Sequence, residues 1–299
     1  MRVLFAGDAN IDLQLTGLSS PVQVDREVIA DGFAATIGGS TTICAAAYSS
    51  LGGSSAFCGL LGDDHYGHLM ETMLTTAGVD LSLLRFTSTC PTGVTVNLVH
   101  GATRSQVTFP GTLAIVDETD RIVANLGSFS HLHMGGLYPL QRFRPRITEV
   151  LAAARAAGVT TSITTQWDFS EQWEHINDWL PLLTYLFLNA EEASAITGKA
   201  TVEEAWKALR AVTPYPFVTL GRDGVFAEGS QVPGFPVAVR DTTGAGDTFA
   251  AAVLYAIGAK GMKAPDAARY GCAAAALSCT HTGGVSPMLT DAAVKGLLG

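Results

Sequence analysis

The run RDTTGAGDTFAAAV, Arg240 to Val253, decides how the rest of the chain is read. A short β-leaning piece meets two glycines in three residues, then a carboxylate, then an alanine-rich helix. Glycine costs a helix about 1 kcal/mol relative to alanine and usually ends structure. Here it stands where structure begins. Gly244, Ala245 and Gly246 have little side chain to cover their amides, and the first N–H groups of a helix lack partners. Such donors, with the positive end of the helix dipole, form an anion site. Asp247 would stand beside that anion and take the proton of an attacking hydroxyl, for which a carboxylate is base enough in phosphoryl transfer. Read alone, Asp247 also suits an ordinary cap after a glycine turn.

Outward from this run, β-rich pieces alternate with helical patterns. RVLFAG, SAFCGLLG, HLHMGG, VTTSIT, YLFLN and PFVTLG read as strands, and TTICAAAYSSLG, YGHLMETMLTTAG, RPRITEVLAAARAAG and AEEASAITG as helices. The alternation predicts an α/β fold in which helices cover both faces of a mostly parallel sheet, with ligands beyond the carboxyl ends of its strands. Two segments, about 12–37 and 91–112, lack helical period and alternate apolar with polar residues. They predict antiparallel strands with one wet face, forming a small sheet that covers the crevice as a lid. Ordinary surface hairpins are the plainer alternative. The 299 residues, 47% hydrophobic, are enough for one large domain spanning 1–299.

The charge balance of 18 basic against 27 acidic residues, net −9, argues against nucleic-acid or anionic-membrane partners. No apolar run reaches the roughly 18 residues of a membrane helix. The first apolar run meets Asp8 and Asp12 too early for a signal peptide, so the expected location is cytoplasmic. Five scattered cysteines without a C-x-x-C pair predict buried reduced thiols. Walker A, H-E-x-x-H and G-x-S-x-G patterns are missing. His131 and His133 alternate along one strand and read as a polar edge or satisfied core histidines.

The ungapped run from Asp241 to Phe249 resembles the C-terminal signature of the ribokinase-like (PfkB) carbohydrate kinase family, and nearly the whole chain fits the resemblance. It implies a three-layer α/β/α fold with a small β-sheet lid. It further implies an ATP-dependent kinase that phosphorylates a primary hydroxyl of a sugar, with Asp247 as base and Gly244, Ala245 and Gly246 as anion hole. GDANID is similar to the family's first strand and turn, where Asp12 binds acceptor hydroxyls; read alone, Asp8 or Asp12 suits a turn equally well. IGGSTTICAAAYSSLG is similar to the N-terminal signature, with Gly38 and Gly39 letting backbone approach the substrate. Ile43 stands where sugar-specific members often carry asparagine, which points to an altered or more apolar acceptor. GLLGDDHYG resembles a structural turn with Asp64 as helix cap.

Asn189 and Glu192 fit the family's Asn-x-x-Glu motif, which implies that Glu192 holds water around Mg²⁺ near the triphosphate; a capping pair is its commoner meaning. VTLGRDGV resembles the family's nucleotide-binding strand and turn, which implies Thr219 and Gly221 near phosphate or ribose. Cys272 lies in the helix implied to wall the adenine, at a position where some members have asparagine. Asp241, Thr243 and Ser286 mark the segment where relatives bind K⁺. The rival readings are a nucleoside kinase, with Ile43 and TVNLV enclosing a base, and a catalytically silent sugar-binding protein. A phosphorylated sugar would need converging basic groups, and only Arg26 and Arg104 offer them in the lid. The exposed edges of that sheet predict a homodimer.

Overall fold

In the computed structural model, which describes residues 1–101 and 103–299, Arg2–Gly7 (β1) is buried from Val3 onward. Its alternate side chains enter two different cores, Val3 and Phe5 on one side, Leu4 and Ala6 on the other. A strand apolar on both faces belongs inside a covered parallel sheet. The chain continues through β2 (Asn10–Thr16), β3 (Gly32–Gly38), α1 (Ser40–Ser50), β4 (Ser54–Gly62), α2 (His65–Thr76), β5 (Asp80–Thr87), β6 (Gly93–His100) and β7 (Thr103–Phe109). Next come α3 (Thr119–Asn125), β8 (His131–Gly135), α4 (Ile147–Ala156), β9 (Thr160–Thr164), α5 (Ile176–Trp179), β10 (Tyr185–Asn189), α6 (Ala190–Thr197) and α7 (Val202–Arg210). The last elements are β11 (Tyr215–Thr219), β12 (Val225–Ala227), β13 (Ser230–Val232), α8 (Ala245–Lys260), α9 (Ala264–Ser278) and α10 (Asp291–Leu298).

The main sheet runs β13-β12-β11-β10-β9-β8-β1-β4-β5, parallel except for the antiparallel β12 and β13 at one edge. One core lies against α1, α2, α8, α9 and α10, the other against α3 to α7. This is the three-layer α/β/α arrangement. Helix α8 is apolar almost all round and every residue from Asp247 to Ala256 is buried, as a helix sandwiched between sheet and α9 must be. The amphipathic α7, capped by Thr201 accepting from the Glu204 N–H, was signalled by Thr201-x-x-Glu204, a pattern the reading above passed over.

His131 and His133 sit in the middle of the main sheet, not at an edge. Ser162 Oγ lies 2.7 Å from His131 Nε2 and 2.7 Å from His133 Nδ1, while Thr160 and Thr164 hydroxyls meet the outer ring nitrogens. Burial holds both imidazoles neutral, His133 down to about 3. They are satisfied core groups. All five cysteines are free; Cys44, Cys58 and Cys272 are buried, Cys90 and Cys279 only partly.

Segments about 12–37 and 91–112 build a second sheet, β3-β2-β6-β7. Both hairpins are antiparallel as expected, but β2 and β6 join them in parallel. Register puts Asp12 and Gln14 beside Thr36 and Ala34 of β3 and Thr95 and Asn97 of β6 on one face. The other face carries Leu13 and Leu15 beside Ala35, Phe33, Val96 and Leu98, continuing to Val107 and Phe109. One face is exposed, as expected, but it is the apolar one. Asp12, Gln14, Thr95 and Asn97 are buried, whereas Phe33, Val107 and Phe109 are 68%, 63% and 53% exposed. Within TVNLV, Val96 and Leu98 therefore face away from Asp12. Arg26 lies in the exposed loop before β3, and the Arg104 side chain lies outside the described residues.

Candidate active site

Strand β1 lies between β4 and β8, so the chain leaves it in both directions and a crevice opens at the carboxyl ends. There Gly7 gives way to Asp8, which is buried. Asp8 accepts the Ser40 N–H at 2.9 Å and the Thr41 N–H at 2.8 Å. It thereby satisfies the start of α1, whose preceding Gly39 offers no side chain to do so. The Ser40 hydroxyl in turn donates to Asp247 Oδ1. Neither Asp8 nor Ser40 was assigned to the site from sequence, because their partners lie far along the chain.

At the start of α8, Gly244 is the capping residue in the left-handed region, φ 69°, and no side chain caps the helix. A Cβ on Gly244 would lie 2.7 Å from Gly284 O and 2.9 Å from Ile43 Cγ2, so only glycine fits. Asp247 is consequently the third residue of the helix and not its cap. The Ala245 N–H is not bare; it donates to Thr242 O at 3.2 Å and closes the turn. The open end of α8 thus presents the Gly246 and Asp247 amides. Space beside Gly246 is empty, with nothing within 4 Å of an added Cβ. Ile43 is buried beneath Gly244 and Gly284 and supports the turn.

Burial pushes the Asp247 carboxyl up to about 7; the Ser40 hydroxyl opposes that shift, and the charges of Asp8, Glu192 and Asp12 add to it. Asp12 accepts from Asn10 Nδ2 at 3.0 Å, and the same nitrogen reaches Thr95 Oγ1 at 3.1 Å. A side chain at Gly38 would collide with Asp12, 2.2 Å from Oδ1. Gly39 adjoins them and precedes Ser40, so Asp12, Gly38, Gly39 and Asp247 fall in one neighbourhood.

A cleft of about 880 Å³ runs along the C-terminal half. Asn189, Thr219, Gly221, Ala245, Gly246 and Cys272 all line it. Phe235, Val237 and Val239 form a further wall, from a segment the sequence reading did not single out. Burial pushes the Cys272 thiol up to about 12, making it a neutral apolar surface. Asn189 and Glu192 form a reciprocal capping box at α6, the commoner meaning of their spacing. Glu192 Oε2 also accepts from Thr165 Oγ1 at 2.7 Å, and burial raises its carboxyl. Asp241 binds the Thr243 N–H and hydroxyl at 2.9 and 2.7 Å and the Gly283 N–H at 2.9 Å. Ser286 Oγ lies 3.1 Å from His281 Nδ1 and accepts the Met288 N–H. Among the described residues, no helix is long and apolar enough to cross a membrane.

Comparison with known proteins agrees with the fold. The chain is 29% identical over 306 residues to the ribokinase of Bacillus subtilis (strain 168), covering 99% of each. It is 25% identical to fructokinase-2 of Solanum habrochaites, covering 90% of this chain and 89% of that one. The structure of Arabidopsis thaliana ribokinase complexed with ribose and ATP superposes with a TM-score of 0.82 at 25% identity, covering 99% of this chain and 98% of that one. The description "pfkB family carbohydrate kinase" matches residues 2–291, and the chain belongs to that family.

Proposed function

We propose that this chain is an ATP-dependent kinase that phosphorylates a primary hydroxyl of a free sugar, with Asp247 as its general base. One observation carries the reading: a buried carboxyl, raised by that burial to about 7, stands in the first turn of a helix whose start presents unpaired amides and opens on the cleft. ATP lies in the 880 Å³ cleft, its base against Cys272 and its γ-phosphate at Gly246 and Asp247. The acceptor lies between Asp12, Gly38, Gly39 and Asp247, under the small sheet acting as a lid that excludes water. The Asp247 carboxylate takes the hydroxyl proton as that oxygen bonds to phosphorus, and ADP departs with the electron pair of the broken P–O bond. The amides at the α8 start balance charge on the transferred group.

Among the described residues, no three His, Cys, Asp or Glu side chains converge to bind a metal directly. That donor set fits Mg²⁺ arriving with the nucleotide, keeping its waters, and meeting Glu192 and Asn189 through them; its chemistry there is to neutralise phosphate charge. Asp241 already binds protein N–H and O–H donors through both carboxylate oxygens, so K⁺ near Thr243 and Ser286 would be held by carbonyls. The open apolar face of the small sheet supports a homodimer through that sheet.

The testing experiment measures ADP release with Mg-ATP and a panel of ribose, fructose, adenosine and inosine. Phosphorylation of a sugar is expected. Transfer to nucleosides alone, or to nothing while sugar still binds, overturns the reading.

A further inference from the structure

Four of the buried side-chain atoms that lack a hydrogen-bond partner lie on the Asp12 face of the small sheet. They are Gln14 Oε1 and Nε2, Asn97 Nδ2 and Thr36 Oγ1. Gln14 is 1% exposed and Asn97 is fully buried. Buried polar groups left unpaired destabilise a fold, and native proteins keep few of them. Here three residues share one face, beside the carboxylate of Asp12.

Their placement is well defined. Gln14 follows Asp12 by two positions on β2, about 7 Å further along the same face, and pairs in register with Asn97. Gln106 Nε2 donates to Asn97 Oδ1 at 2.7 Å, which leaves the Asn97 amino group as the donor. Thr36 lies opposite Asp12 in register and approaches the Gly283 loop, where an added Cβ would be 2.8 Å from Thr36 Cγ2. This face is therefore turned toward the body of the protein. It continues outward to Thr16 and Val99, which line a separate cleft of about 670 Å³.

We propose that Gln14, Asn97 and Thr36 bind the acceptor, reading hydroxyls of a free polyol beyond those held at Asp12. The proposal rests on the kinase reading above. Gln14 supplies a donor and an acceptor, Asn97 donors, and Thr36 either role. Hydroxyl groups satisfy all three at once. A nucleobase would need a flat apolar surface to stack on, and Phe33 and Phe109 both lie on the opposite face. A phosphate would need several converging cations, and the register puts a single basic residue of the sheet, Arg104, on this face.

Thermal shift with D-ribose, D-fructose and inosine, and kinetics with whichever probe is phosphorylated, test this on Gln14→Leu and Asn97→Leu. A sugar is expected to raise the melting temperature of the wild type, and each variant to lose at least half of that shift. Acceptor KM should rise about ten-fold or more, with KM for ATP within about two-fold. Without ligand, Gln14→Leu should melt about 2–4 °C above the wild type, because the unpaired amide is gone. A variant that melts lower while keeping its acceptor KM marks the amides as structural and overturns the proposal. A larger shift with inosine than with either sugar, or no shift with any probe, also overturns it. A sugar shift that the variants abolish, without any phosphorylation, upholds the subsite and removes the kinase reading instead.

Discussion

The hydroxyl of Ser40, first residue of α1, donates to Oδ1 of Asp247 in the first turn of α8. Two helices distant in sequence thus meet at one carboxyl group. The hydroxyl favours the ionised carboxylate, against burial and the neighbouring acids. Rate should therefore rise with pH through about 7 as Asp247 ionises. In Ser40→Ala the midpoint should move upward by about one unit, and kcat at pH 7 should fall about five-fold as the ionised fraction drops. A pH profile of kcat/KM that is identical in the two proteins would remove Ser40 from the mechanism.

Asp247→Asn should lower kcat by about 10²–10⁴-fold, the usual range for a lost general base. KM for ATP should change little, because the cleft residues and the α8 amides remain. Steady-state kinetics with a coupled ADP assay separates the two parameters.

The same substitution should stabilise the protein at alkaline pH. The folded carboxyl has its pKa raised from 3.8 to about 7, so the folded state binds this proton more tightly than the unfolded chain. Its contribution to stability is complete below about pH 4 and is lost as pH rises through about 7. By pH 8 the ionised group costs on the order of 2–4 kcal/mol, which asparagine does not incur. Melting curves of wild type and Asp247→Asn should converge near pH 4 and separate near pH 8, with the variant higher.

The histidine ladder acts in the opposite direction. Burial depresses both imidazoles, His133 to about 3, so their stabilising contribution is present above about pH 6.5 and lost as pH falls toward 3. NMR of the ring nitrogens should find both neutral down to about pH 4 in the folded protein. A protonated ring at pH 5 would contradict the Thr160–His131–Ser162–His133–Thr164 ladder.

Sedimentation should give a dimer at micromolar concentration, and Phe33→Asp with Val107→Asp should give a monomer. Both residues are more than half exposed on the apolar face. A monomeric wild type would show that this face is simply tolerated.

How far the sequence could be read follows from the range of each interaction. Local patterns announced the layered sheet and the glycine turn before α8, because capping and periodicity act within a few positions, and the family resemblance named residues that line one cleft. Asp8 and Ser40 could not be found that way. Asp8 binds amides 32 and 33 positions away, and Ser40 meets a carboxylate 207 positions away. The small sheet was legible as alternation, yet alternation does not say which side turns inward. That required the register of β2 against β3 and β6, which turns the polar face inward.

The Asp8 cap has a consequence for the direction of the chemistry. Two helix beginnings, α1 and α8, flank the same crevice, and either could attract a phosphate by its dipole. At α1 an internal carboxylate already occupies the amides of Ser40 and Thr41. In the kinase reading proposed above, the transferred phosphate would therefore be drawn to the α8 end, where the Gly246 and Asp247 amides stay open. On that reading, the asymmetry would set a donor side and a recipient side before any ligand arrives.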